Sequence, residues 1–98
     1  MLYYMMVFNW NIEKNELLKK VRGISFEMVQ SAIEERRFRL VVPHPNKEKY
    51  PNQVLYYVLI DEYIYVVPAV PESDGYFLKT IYPSRKQTYA YQKGEWKI

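Results

Sequence analysis

Residues 54–60 read Val-Leu-Tyr-Tyr-Val-Leu-Ile, an unbroken run of apolar and aromatic side chains. In a strand, successive side chains point to opposite faces. Val54, Tyr56, Val58 and Ile60 therefore face one way, and Leu55, Tyr57 and Leu59 the other. Such a strand needs cover on both sides and belongs inside a sheet. The chain must supply a layer for each face, or borrow one.

The remaining elements follow from periodicity and punctuation. Met1 to Phe8 is bulky and free of Gly and Pro, and reads as a strand. Asn11 opens a helix over 11–22, in which Trp10, Lys14, Leu17, Leu18 and Val21 fall at helical spacing. Gly23 is placed to end it as a left-handed cap, with Ile24 folding back onto Leu18. Ser25 caps a second helix over 25–36, with Phe26, Val29 and Ile33 as its stripe. Phe38 to Val42 is a strand ended by Pro43, and a polar loop runs from His44 to Gln53. After 54–60, Asp61-Glu62 turns the chain into Tyr63 to Val67, stopped by Pro68. Tyr76 to Tyr82 is the last strand, and 84–93 forms a short helix or an extended arm. Helices grouped at one end and hairpin-linked strands imply an α+β fold. The expectation is an antiparallel four- to five-stranded sheet with two N-terminal helices on one face. The C-terminal arm or another protein would cover the other face.

Composition narrows the chemistry. At 98 residues one domain, 1–98, is expected, and 49% hydrophobic content can fill one core. There is no cysteine, which excludes disulfides, thiolate zinc and a cysteine nucleophile. His44 is the single histidine, so a paired-histidine metal site is excluded, and no metal or cofactor is expected. No run reaches the length of a membrane span, and Leu2 to Phe8 lacks the flanks of a signal peptide. A cytoplasmic protein without membrane contact is expected. The net charge is +3, but Lys79, Arg85, Lys86, Lys93 and Lys97 face only Glu95 in the last twenty residues, while residues 1–78 are slightly acidic. A local basic patch suits phosphate or an acidic partner, and equally a solubilising tail.

Three segments carry a resemblance. They are Phe8-Asn9-Trp10-Asn11 with Lys14, Val21-Arg22-Gly23-Ile24-Ser25-Phe26-Glu27, and Ile81-Tyr82-Pro83-Ser84-Arg85-Lys86. Together they resemble the BrnT-like branch of the RelE/ParE-like toxins of bacterial type II toxin–antitoxin modules. The branch has Asp where this chain has Asn11, and His where it has Arg22. The resemblance implies a RelE/ParE-like fold and a ribonuclease-type toxin neutralised by a cognate antitoxin, often of the ribbon-helix-helix kind. The alternative is a non-catalytic relative that binds protein or nucleic acid, such as a gyrase-inhibiting ParE-like toxin or a degenerate toxin. A homodimer is possible without the antitoxin, because a tyrosine-rich sheet face would otherwise be exposed.

Metal-free RNA cleavage needs a base for the 2′-OH, an acid for the leaving 5′-oxygen, and cations for the charged phosphorane. Arg85 and Lys86 are candidates to hold the scissile phosphate, or are a solvated pair after the last strand. Lys79, alternating with Phe77 and Ile81, faces a site or snorkels. His44 is a candidate proton carrier or an exposed loop histidine. Lys19, Lys20 and Arg22 complement the helix dipole and can also contact RNA. Tyr89 and Tyr91 stack on bases, donate a proton, or pack on the sheet.

Overall fold

The computed structural model describes residues 6–95, without the side chains of residues 39–42. The elements are β1 (Val7–Asn9), α1 (Ile12–Arg22), α2 (Phe26–Glu34), β2 (Phe38–Pro43), β3 (Val54–Ile60), β4 (Tyr63–Glu72), β5 (Gly75–Leu78), β6 (Tyr82–Pro83) and α3 (Arg85–Gln92). The fold is α+β. The first five residues of the expected N-terminal strand, and Lys97, lie outside the described residues.

The caps do what their residue types dictate. The Asn11 side chain accepts from the Lys14 amide, and Gly23 ends α1 at φ 65°, its amide donating to the Lys19 carbonyl. Ser25 accepts from the Met28 amide to open α2. Arg36 takes the left-handed φ of 62° after α2, where the Arg36 and Arg37 amides close onto Ile33 and Ala32. A two-residue loop joins β3 to β4, Ile60 pairing with Tyr63. Both loop residues, Asp61 and Glu62, have positive φ, the geometry that matches strand twist in tight hairpins.

The sheet runs β1-β5-β4-β3-β2, with β6 beside β4. β3 is internal, as its two-sided apolarity requires. The sheet is mixed rather than wholly antiparallel, because β1 lies parallel to β5, Val7 opposite Gly75 and Asn9 opposite Phe77. The pair is possible because Gly75 has no side chain: a methyl there would overlap the Val7 carbonyl.

Pro68 does not stop β4. Its carbonyl accepts from the Lys79 amide on the β5–β6 side. In a strand, a residue's N and O point the same way, so the missing Pro68 N–H faces that side too. There the partner is broken by a bulge: Ala69 pairs with Leu78 but Val66 with Tyr82, a register shift of one residue. Pro71 directs its N toward the β3 side, beyond the last β3–β4 pair at Val54 and Ala69.

The bulge also corrects the expected face of the last strand. Phe77, Lys79 and Ile81 do not share one face. Leu78 and Ile81 are both fully buried in the core under the helices, and Lys79 is exposed. That core gathers Leu18, Ile24, Phe26, Val29 and Ala32 from the helical side against Tyr56, Val58, Ile60, Val67 and Ala69. Trp10 stacks on Phe26 at 5.6 Å, and Tyr56 meets Phe8, Phe38 and Tyr76 ring to ring. Burial, then the Tyr76 hydroxyl beside it, pushes the Tyr56 phenol well above its ordinary pKa.

The second face is covered at one end by α3. Ser84 caps α3 through the Gln87 amide. The Ser84 amide donates to the Ile64 carbonyl, and the Ile64 amide donates to Thr88 Oγ1 at 2.8 Å. This stitches α3 to the β4 edge beyond the end of β6, and both Ile64 and Thr88 are buried. No helix among the described residues is long and apolar enough to cross a membrane.

The stripe expected on α1 is only partly buried. Leu18 enters the core, but Leu17 is 53% and Val21 68% exposed. The buried polar residue is Asn15, which accepts from the Phe26 amide at 2.8 Å and donates to Glu27 at 2.7 Å. Asn15 fixes α1 against the start of α2, and a side-chain amide suits this because it donates and accepts at once.

Candidate cation-lined edge

The bulge between β5 and β6 lifts Ile81 out of the β4 ladder. Its carbonyl accepts from Arg22 Nη1 at 2.5 Å. A long, forked cation at the end of α1 is suited to reach that carbonyl, which gives Arg22 a structural task. The bond also joins two of the sequence segments singled out above, 21–27 and 81–86.

From this point the cations can be placed by register. Lys79 binds the Pro68 carbonyl through its backbone and Ser84 binds that of Ile64, so Lys79 and Arg85 flank the Arg22 contact along one edge of β4. Four residues of strand separate the two anchor points, about 13 Å. Arg85 and Lys86 are exposed in the first turn of α3, where no acidic residue sits. Cations at a helix N-terminus oppose the dipole, so they are not there to stabilise the helix. Tyr89 follows Arg85 by one helical turn and is 62% exposed, with Lys93 Nζ 5.0 Å from its ring centre. Lys93 also pairs with Glu95 at 3.3 Å. Tyr91 is half-buried, unlike Tyr89.

Other candidates fall elsewhere. His44 lies at the opposite end of β4 from Arg85, on the β3 side. Its amide donates to Gln53, next to the Val54–Ala69 pair, whereas Ser84 sits at Ile64. Ala69 is five residues on from Ile64 along β4, about 17 Å of strand. His44 organises its loop: Nδ1 accepts from the Asn46 amide at 3.0 Å and the ring lies 4.5 Å from Tyr50. The neutral imidazole therefore carries its proton on Nε2. Lys19 is engaged by Glu16 at 3.0 Å and faces Glu27 at 4.0 Å. The hydrogen bond it donates to the Glu16 carboxylate raises its pKa. Lys20 is exposed on α1. So Lys79 and Arg85 mark two points along the β5–β6 side of β4, with Arg22 reaching Ile81 between them and Lys86 and Tyr89 on α3, whereas His44 lies on the other side of β4, beyond β3.

A separate cleft of about 290 Å³ opens between α2 and the β3–β4 turn, lined by Glu27, Met28, Ser31, Arg37, Ile60 and Asp61. Arg37 is committed there to the Leu59 carbonyl at 2.7 Å and to Glu35. The Asn15 hydrogen bond holds the Glu27 carboxyl below the usual range, so Glu27 stays ionised near neutrality. Two carboxylates make this larger cleft a poor place for a phosphate. Sequence reasoning missed Asn15, Thr88 and Arg37, and read Lys93 only as part of the basic C-terminal patch. Only Lys93 had a readable signal, its helical spacing from Arg85 and Tyr89.

No protein-family model matches the chain, and no curated protein resembles it closely enough to count as a match.

Proposed function

We propose that the chain is the toxin of a bacterial type II toxin–antitoxin module, a cytoplasmic, metal-independent endoribonuclease neutralised by a cognate antitoxin of the ribbon-helix-helix kind. The observation that carries this reading is the contact of Arg22 with the Ile81 carbonyl. It brings two of the segments on which the resemblance rests onto one edge, in line with Lys79, Arg85 and Lys86. In this reading Arg85 and Lys86 bind the scissile phosphate, Lys79 holds a neighbouring one, and Tyr89 offers a ring to a base. One observation favours the second reading, a module that binds without cutting: His44 lies at the opposite end of β4 from Arg85 and Lys86, and no imidazole stands beside that pair.

Induced expression with and without the neighbouring gene, reading growth and RNA integrity, tests the proposal. RNA fragmentation that the neighbouring gene suppresses supports it. DNA damage without RNA loss supports a gyrase inhibitor instead, and no effect on growth overturns the toxin reading. Arg85→Ala should slow cleavage about a hundredfold or more, roughly 3–4 kcal/mol, because a phosphate donor acts where transition-state charge is greatest. Arg85→Lys should recover only part of the rate, since it lacks the planar fork. Arg85 is exposed, so melting should be unchanged. Wild-type cleavage by a folded Arg85→Ala protein would remove Arg85 from the site.

A further inference from the structure

We propose that the cleft between α2 and the β3–β4 turn is a binding site for a short linear diamine, an alkyl chain with an ammonium group at each end. This goes beyond the toxin reading and does not rest on it, because none of the cations assigned to phosphate lines this cleft.

The cleft holds about 290 Å³, small for a ring-bearing cofactor and ample for a short chain. Its lining is amphiphilic. Ile60 is buried and Met28 half-buried, and they supply apolar surface. Glu27 comes from the α2 wall and Asp61 from the turn wall. Glu27 Oε1 accepts from Asn15 at 2.7 Å and lies 4.0 Å from Lys19, which Glu16 already holds at 3.0 Å. A carboxylate offers about four acceptor positions, so Glu27 keeps capacity for a further donor. Among the described residues the Asp61 carboxylate and the Ser31 hydroxyl have no hydrogen-bond partner. Arg37 is the cation of the lining, and its guanidinium is spent on the Leu59 carbonyl at 2.7 Å and on Glu35 at 3.1 Å. The cleft is thus locally acidic on a chain whose net charge is +3. Nor does the turn need the charge of Asp61: at its φ of 52°, asparagine serves as readily.

This combination selects the ligand. An anion would meet two carboxylates. A neutral apolar molecule would strip water from both without replacing their hydrogen bonds. A divalent cation needs more oxygen ligands than the lining offers, and no group of three metal-ligating side chains occurs among the described residues. An alkyl ammonium meets both demands, with methylenes against Met28 and Ile60 and three N–H donors for the carboxylates and Ser31. A lysine side chain carries the same chemistry with one charged end. Carboxylates on two facing walls match a ligand charged at both ends, so a free diamine is the better fit.

The test titrates the full chain with 1,4-diaminobutane, and in separate arms with butylamine, 1,4-butanediol and a blocked lysine, N-acetyl-lysine methylamide. Amide chemical-shift mapping reads affinity and place. The diamine should shift residues 27–31 and 60–61, butylamine and blocked lysine should bind more weakly, and butanediol should not bind. Asp61→Asn and Glu27→Gln should each weaken the diamine by about threefold to fivefold, as the loss of one exposed ion pair does. Glu48→Gln, in the loop before β3, should leave the affinity unchanged. Asparagine suits the turn and glutamine can still accept from Asn15, so both variants should fold, which a thermal melt checks. No shifts at millimolar diamine, shifts centred elsewhere, equal binding of butanediol, or unchanged affinity in folded Asp61→Asn and Glu27→Gln would each overturn the proposal. Butylamine or blocked lysine binding as tightly as the diamine would overturn the two-ended ligand. RNA integrity is read separately, so failure of the toxin reading and failure of this one are distinguishable.

Discussion

Replacing Arg22 with alanine separates two roles for that side chain. The bulge leaves the Ile81 carbonyl without a ladder partner in β4, and the Arg22 guanidinium supplies one. Hydrogen bonds to charged groups contribute about 1.5–3 kcal/mol. Arg22 is itself exposed, so water can partly replace it, and the low end, about 1.5 kcal/mol, applies. For a domain of this size each kcal/mol moves the melting temperature by about 4–8 °C, so Arg22→Ala should melt roughly 6–12 °C lower. Arg22→Lys keeps the charge but only a single-point donor, and should recover about half of that loss. Scanning calorimetry gives the shift, and hydrogen exchange of the amides at 80–82 gives its location. A melt of Arg22→Ala within about 1 °C of wild type would refute the reasoning and free Arg22 for a purely ligand-binding role.

The close approach at Gly75 predicts that Gly75→Ala forces β1 off β5, costing about 1–3 kcal/mol as an overpacked contact does. Loss of protection at the Val7 amide, which donates to the Asp74 carbonyl, would confirm it, and unchanged protection would not fit. Tyr56, neutral and buried in the fold, has a raised pKa, so the folded chain holds its proton longer than the unfolded chain does. Its contribution is complete below about pH 10 and falls as pH rises beyond that, by up to about 1.4 kcal/mol per pH unit. Denaturant midpoints between pH 8 and 11.5 should therefore drop in wild type and drop less in Tyr56→Phe, and parallel curves would count against the assignment.

Local chemistry was readable in the sequence, and long-range pairing was not. Asn11, Gly23 and Ser25 act within four residues of themselves, so their cap types sufficed to place both helices. The run at 54–60 declared an internal strand because both of its faces are apolar. The parallel partner of β1 left a single trace, a glycine at 75, whose meaning depends on a chain segment far away. Pro68 read as a stop because its missing donor is harmful only if a partner stands opposite, and the bulge that removes the partner comes a dozen residues later. At the candidate edge, the Arg85-Lys86 pair was legible, and so was the aromatic at 89. Their alignment with Arg22 was not, because a one-residue slip decides which way Ile81 points. His44 read as a proton carrier or an exposed loop histidine, and its side chain is instead engaged within its own loop by Asn46 and Tyr50.

The parallel strand has a consequence for the order in which the chain assembles. Residue 7 must find residue 75, and closing a loop of that length costs about 4 kcal/mol in chain entropy before the pairing of β1 with β5 returns anything. Once Arg22 grips Ile81, the segment left to close shrinks to about a third, which lowers the entropic cost by about 1 kcal/mol. β1 therefore joins last, onto a sheet already built by hairpins and clipped by the helix. By the same reasoning it leaves first, lifting away from Gly75 while β2, β3 and β4 stay paired. The N-terminal strand behaves as a detachable edge, and its departure would expose one side of β5 without unfolding the sheet behind it.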